Sequence, residues 1–145
     1  MCTRRLQTRV PSAFARMRAF LRKRSMHFHK RGLDGSGKCT IHPEERDEDL
    51  VWGVVFEMDP AHRARLDNVE GLGSQYHAER VLVHTDYGTE QAFTYVAAPH
   101  VIDSSLRPFH WYKQLVVMGA REHELPAEYI AMLESVPTDA DPNLV

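Results

Sequence analysis

Cysteine is scarce in this chain: its 145 residues hold only Cys2 and Cys39. They stand far apart, in neither metal-ligand nor redox spacing, which excludes a disulfide framework and a zinc knuckle and suits a reducing, cytoplasmic setting. Long hydrophobic runs are lacking too. No apolar stretch approaches the ~18 residues a membrane span needs, so a soluble chain with no membrane partner is expected. Acids are missing from the front: Met1 to Arg31 carry ten Lys or Arg and no Asp or Glu, leaving eight bases against all twenty acids in the remainder. A nucleic-acid contact, an Arg-rich targeting segment or the solvated faces of folded elements would each give such a bias. The last is favoured, and no nucleic-acid partner is expected, because a nucleic-acid reader interleaves aromatics with its bases. With no Gly-x-Ser-x-Gly elbow and no histidine beside either cysteine, covalent catalysis has no candidate.

What is present suffices for one core. A chain of this length with 43% hydrophobic residues fits a single domain, expected over residues 1–136, and residues 137–145, rich in Asp and Pro, read as a flexible tail. The first nine residues suit a short helix or turn before Pro11-Ser12. From Ala13 to Leu21, Phe14, Met17 and Leu21 recur at helical spacing while Met17 and Ala19 alternate with Arg16 and Arg18 as in a strand; periodicity leaves both open. Met26 and Phe28 alternate with His27 and His29 as a half-buried strand. Pro43 to Asp49 form an exposed acidic turn. Val51 to Met58, apolar and β-branched, read as a central strand. Asp59 and Pro60 supply an N-cap and an N1 proline for a helix over Ala61 to Asn68 that stops before Gly71, with Glu70 just past its end. Tyr76 to His84 and Phe93 to Ala97 alternate around Asp86-Tyr87-Gly88 as a hairpin. Pro108 opens a helix through Met118 with Trp111, Leu115 and Met118 on one face, and a second helix runs from Pro126 with Tyr129, Ile130 and Leu133 apolar until Pro137.

Gly32-Leu33-Asp34-Gly35-Ser36-Gly37-Lys38-Cys39 matches the P-loop spacing except at its last position, where Cys39 replaces the magnesium-binding Ser or Thr. Thr40-Ile41-His42-Pro43 and the acidic run offer no helix to face phosphates, so a glycine-rich hairpin loop is the better reading. Of nine histidines, His27 and His29 share a strand face, but two ligands without a third make no metal site. Leu66-Asp67-Asn68-Val69-Glu70-Gly71 is more suggestive. A glutamate after a capped helix, beside the most apolar strand and before Gly71-Leu72-Gly73-Ser74, would be partly desolvated, which brings a carboxyl nearer the working pH for proton transfer.

Val51-Trp52-Gly53-Val54-Val55, Leu66 to Gly71, Tyr76, Tyr112-Lys113-Gln114 with Val117-Met118-Gly119-Ala120, and Leu125-Pro126-Ala127-Glu128-Tyr129 together resemble the γ-glutamylcyclotransferase family, which includes the AIG2-like proteins. The resemblance covers almost the whole chain. It implies an α+β fold, a small mixed β-barrel flanked by helices, with Ala13 to Leu21 a strand. It also implies an activity on small γ-glutamyl substrates: the free α-amine attacks its own γ-carbonyl, giving 5-oxoproline and releasing an amino acid or amine, with glutathione among the candidate substrates. Glu70 aligns with the family's catalytic acid/base. Tyr76, Tyr95 and Tyr112 align with tyrosines that line or support the pocket, where phenols bind carboxylate or polarise a carbonyl. No cofactor or metal is implied. Family members also carry a first strand and a Tyr-Gly-Ser-Asn loop that cradles the γ-glutamyl head, immediately before sequence like Met1-Cys2-Thr3-Arg4-Arg5-Leu6; the expectation is either that Met1 is an internal methionine or that the chain lacks this segment. The alternative function is a non-catalytic binding or interaction module on the same fold.

Overall fold

The computed structural model describes residues 2–144, so Met1 and Val145, the outer ends of the expected domain and tail, lie outside the described residues. Helix α1 (Thr3–Arg9) leads into β1 (Phe14–Arg22), β2 (Arg24–Arg31), β3 (Gly37–Pro43) and β4 (Leu50–Glu57). A 3-10 turn over Pro60–His62 runs into α2 (Arg63–Glu70), followed by β5 (Tyr76–Thr85), β6 (Gly88–Ala97), α3 (His110–Glu122) and α4 (Ala127–Ser135). This is the α+β class the resemblance implied.

The strands form one sheet in the order β4-β1-β5-β6 and a β2-β3 hairpin, every ladder antiparallel. The hairpin packs along β6 on one side and β4 on the other. Thr40 on β3 accepts a hydrogen bond at its Oγ1 from the buried Ala97 N–H of β6, at 3.1 Å, so a side chain substitutes there for a main-chain rung. β4 pairs through its backbone with β1 alone and is therefore an outer strand of the four-stranded sheet, not the central strand expected. Its apolar character follows from β2, which lies against its other side.

The stretch from Ala13 is indeed extended. β1 begins at Phe14 and carries an irregularity between Ala15 and Met17, with Ala19 its fully buried residue. The glycine-rich segment turns at Gly32–Ser36, and β3 begins already at Gly37. A Cβ on Gly37 would lie 2.1 Å from the Phe28 carbonyl oxygen, so only glycine permits the backbone approach. His27 and His29 share a face, their rings stacked 4.7 Å apart.

Two apolar clusters hold these layers. Phe28, Val117, Ala120, Leu125 and Leu133 bury the hairpin against α3 and α4, with Cys39 and Tyr112 at the margin. Leu6, Val10, Ala13 and Leu66 fasten α1 and α2 together, with Tyr95 and Phe56 beside them. The expected apolar face of α3 is displaced. Met118 is 54% exposed, and the inward stripe is Lys113, Val117 and Ala120. Lys113 is inward because its ammonium donates to the Glu134 and Val136 carbonyls at the end of α4, at 2.8 and 3.1 Å. Its aliphatic stem fills core space while the charge meets the negative end of a helix. Beyond α4, Asp139 exchanges backbone hydrogen bonds with Pro108 and His110, and Asp141 accepts from the Trp111 indole at 2.9 Å.

Candidate active site

Asp59 opens the segment that carries Glu70: its carboxylate accepts from Ala61 N at 3.0 Å, with Pro60 in the first turn. Leu66 is the buried anchor of α2. The helix runs to Glu70 itself, two residues further than expected, and then closes in a Schellman motif. Gly71 N donates to the Asn68 carbonyl at 3.2 Å and Leu72 N to that of Asp67 at 2.9 Å, with Gly71 left-handed at φ 67° as the motif requires. The Gly71 carbonyl then accepts from Ser74 and Gln75 at 3.1 and 2.8 Å. This tight turn delivers Gln75 and Tyr76 back beside Glu70.

The Glu70 side chain is 16% exposed and meets the Arg9 guanidinium of α1 at 3.5 Å. Burial pushes its carboxyl above the usual carboxylate range, and the charges of Arg9, Lys30 and Arg5 pull it part of the way back. The group is therefore desolvated yet can still ionise, which is what reversible proton transfer requires.

The three candidate tyrosines come from different elements: the Glu70 charge reaches Tyr76 and Tyr95, and Tyr112 joins Tyr76 through Cys39. Tyr76, at the start of β5, donates its hydroxyl to the Cys39 carbonyl at 3.3 Å, and Tyr112 of α3 accepts from the Cys39 N–H at 3.2 Å. One residue of β3 thus links both phenols. Burial, and for Tyr76 the adjacent Glu70 charge, push both phenols far up, so they act as neutral hydrogen-bonding groups. Tyr95 of β6 donates to Asp67, one turn before Glu70, and so braces α2. The Cys39 thiol is driven up to about 11, chiefly by burial, and is a packed side chain without nucleophilic character.

Sequence reasoning missed Arg9, Lys30 and Gln75. Arg9 and Lys30 belonged to a basic stretch read as solvated, and Gln75 to a loop with no motif. Among the described residues, six of the ten front-end bases pair with acids elsewhere: Arg9 with Glu70, Arg16 with Glu57 and Glu90, Arg18 with Asp86, Lys23 with Asp47, Arg24 with Glu79 and Arg31 with Asp103. The charge asymmetry along the chain is in good part complementarity within the fold. Two surface concavities lie apart from Glu70. One of about 430 Å³ is bounded by Arg63 and Phe93, and one of about 380 Å³ by His27, His29 and Arg107.

Residues 50–133 match the model of the AIG2-like family. γ-Glutamylcyclotransferase from Bos taurus is 37% identical over 101 residues, and that from Homo sapiens 30% over 102; each alignment covers 69% of this chain and 52% of the relative. The chain spans about half the length of these curated relatives. Among solved structures, a human protein described as uncharacterized superposes with a TM-score of 0.86 at 30% identity, covering 95% of this chain and 83% of the other. A γ-glutamyl cyclotransferase superposes equally well, with a TM-score of 0.86 at 28% identity over 94% and 82%. YkqA from Bacillus subtilis shares the fold, with a TM-score of 0.73 at 15% identity over 94% of this chain and 49% of the other. From the span of the family match and the agreement of fold and sequence, the chain belongs to the AIG2-like, γ-glutamylcyclotransferase family.

Proposed function

We propose that this chain is a γ-glutamyl cyclotransferase whose general acid/base is Glu70. The observation that carries the reading is a largely buried carboxylate held at the end of α2, raised by burial and faced by cations and the Tyr76 phenol. The nucleophile is already in the substrate, so the site has to fold it, move protons and little else. Glu70 as carboxylate accepts a proton from the α-ammonium. The freed amine attacks the γ-carbonyl, forming a C–N bond and a tetrahedral centre. Glu70 returns that proton to the leaving nitrogen as the original amide bond breaks, and the ring nitrogen gives up its second proton, which ends on the released amine, so the products are neutral-ring 5-oxoproline and an ammonium. The Tyr112 hydroxyl, which accepts from the Cys39 N–H and keeps its own proton to donate, supports the oxygen on which negative charge develops, while Tyr76 is held on the Cys39 carbonyl.

Incubating the chain with a γ-glutamyl dipeptide should yield 5-oxoproline and free amino acid in equal amounts. Glu70→Gln should lower that rate by about 10²–10⁴-fold, the usual share of general acid–base catalysis; an unaltered rate sinks the assignment. A binding module on the same fold is the second reading. It is favoured by the engagement of all three tyrosine hydroxyls with protein partners, and it predicts γ-glutamyl binding without product.

A further inference from the structure

Lys30 lies on β2 with 5% of its surface exposed. Its ammonium donates to the Gln75 side-chain oxygen at 2.7 Å and sits 5.2 Å from the centre of the Tyr76 ring. Both partners are neutral. Among the described residues no carboxylate lies within ion-pairing distance of Lys30, whereas Lys38, the other lysine of this hairpin, is paired with Asp34 at 3.0 Å. A buried ammonium held by an amide oxygen and a ring face is an incompletely compensated charge. The nearby carboxylates are already engaged: Glu70 faces Arg9, and Asp67 holds the Tyr95 hydroxyl and lies 3.8 Å from Arg63. Arg5, Arg9 and Lys30 act together on Glu70, and the other carboxylate whose charge reaches Lys30, Asp34, is itself paired with Lys38. The site has a surplus of positive charge, and what such a site takes is an anion.

We propose that Lys30, aimed by Gln75 and Tyr76, is the group that anchors the α-carboxylate of a γ-glutamyl head beside Glu70. The assignment rests on the cyclotransferase reading and adds a specificity-determining residue to it. An ammonium–carboxylate contact is a charge-assisted hydrogen bond, strong in a partly desolvated pocket. It would also hold the substrate's α-ammonium close to a like charge, which favours loss of its proton to Glu70. Gly71 has a part in the aim, because a Cβ there would lie 2.8 Å from Gln75 Cγ.

The test uses glutaryl-p-nitroanilide, a γ-glutamyl amide without its α-amine, which keeps the carboxylate but cannot cyclise. Its primary amide lacks the charge. Calorimetry on the full chain should show the acid binding roughly ten-fold or more tighter than the amide. Lys30→Met should bind both alike, and Lys30→Arg should keep the preference. Should Lys30→Met fail to fold, the ε-nitrogen resonance of Lys30 in the unaltered protein gives the answer: it should shift with the acid and not with the amide. Equal binding of acid and amide by the unaltered chain, binding of neither, or a preference that survives Lys30→Met overturns the assignment. Because the probe does not react, the reaction itself is judged separately. Absent 5-oxoproline with an intact Lys30-dependent preference removes the reaction and leaves the anchor, while turnover with no such preference does the reverse.

Discussion

At the scale of single residues, Glu70 has two demands placed on it by its surroundings. Burial favours its neutral form, while Arg9, Lys30 and Arg5 favour the ionised one, and burial prevails. A carboxyl raised in the folded state binds its proton more tightly there than in the unfolded chain. Its contribution to stability is therefore fully present below the unfolded value near 4.5 and is lost as pH rises through the folded value. Glu70→Gln removes that loss, so its melting temperature should gain on the unaltered chain as pH is taken from 4 to 8, a comparison thermal melts make directly. The activity limb has the matching sign: kcat/KM should rise with pH through an apparent pKa above the ordinary glutamate range, because the base form starts the reaction. A limb at or below 4.5 contradicts the burial of Glu70. The candidate carboxylate was legible in the sequence because Asp59-Pro60 and Gly71 bracket its helix. Lys30 was not, since a lysine on a basic, histidine-bearing strand looks solvated until Gln75 and Tyr76 arrive from a distant loop.

Among the elements, α2 and its cap decide where the carboxylate sits. Gly71→Ala forces a side chain into the left-handed region and against Gln75, and should cost about 1–2 kcal/mol in urea unfolding while disturbing activity as well. α3 offers a contrasting case. Lys113→Ala removes two hydrogen bonds to the end of α4 and a stem from the core, for an expected loss of about 2–4 kcal/mol; a loss under about 0.5 kcal/mol would show that Lys113 is peripheral. Lys113 also explains why the face of α3 was misread, since counting apolar positions leaves out a lysine whose charge is satisfied by carbonyls. β4, the β5–β6 hairpin and α4 were legible from their periodicity and bounding prolines. β1 was ambiguous because its only fully buried residue is Ala19, with arginines on either flank, and β3 went unseen because Gly37-Lys38-Cys39-Thr40 carries no alternation.

For the molecule as a whole, the hairpin must stay packed against the four-stranded sheet, beside Tyr76 and Tyr112. One side chain contributes a buried hydrogen bond to that closure. Thr40→Val keeps the shape but leaves the buried Ala97 N–H without its acceptor, and should lower stability by about 1–3 kcal/mol; an unchanged unfolding midpoint would locate the closure elsewhere. The order of layers could not be taken from the chain alone, because the contact between β3 and β6 depends on residues far apart in sequence. The family resemblance supplied the α+β architecture that local pattern left open. The most direct measurement is the rate of 5-oxoproline release from a γ-glutamyl dipeptide by the full chain beside its Glu70→Gln variant, at equal concentration and with both shown to be folded. The expected result is release by the unaltered chain and a fall of about 10²–10⁴-fold in the variant; equal rates in the two, or no release from either, would contradict the assignment of Glu70 as the acid/base of a cyclotransferase.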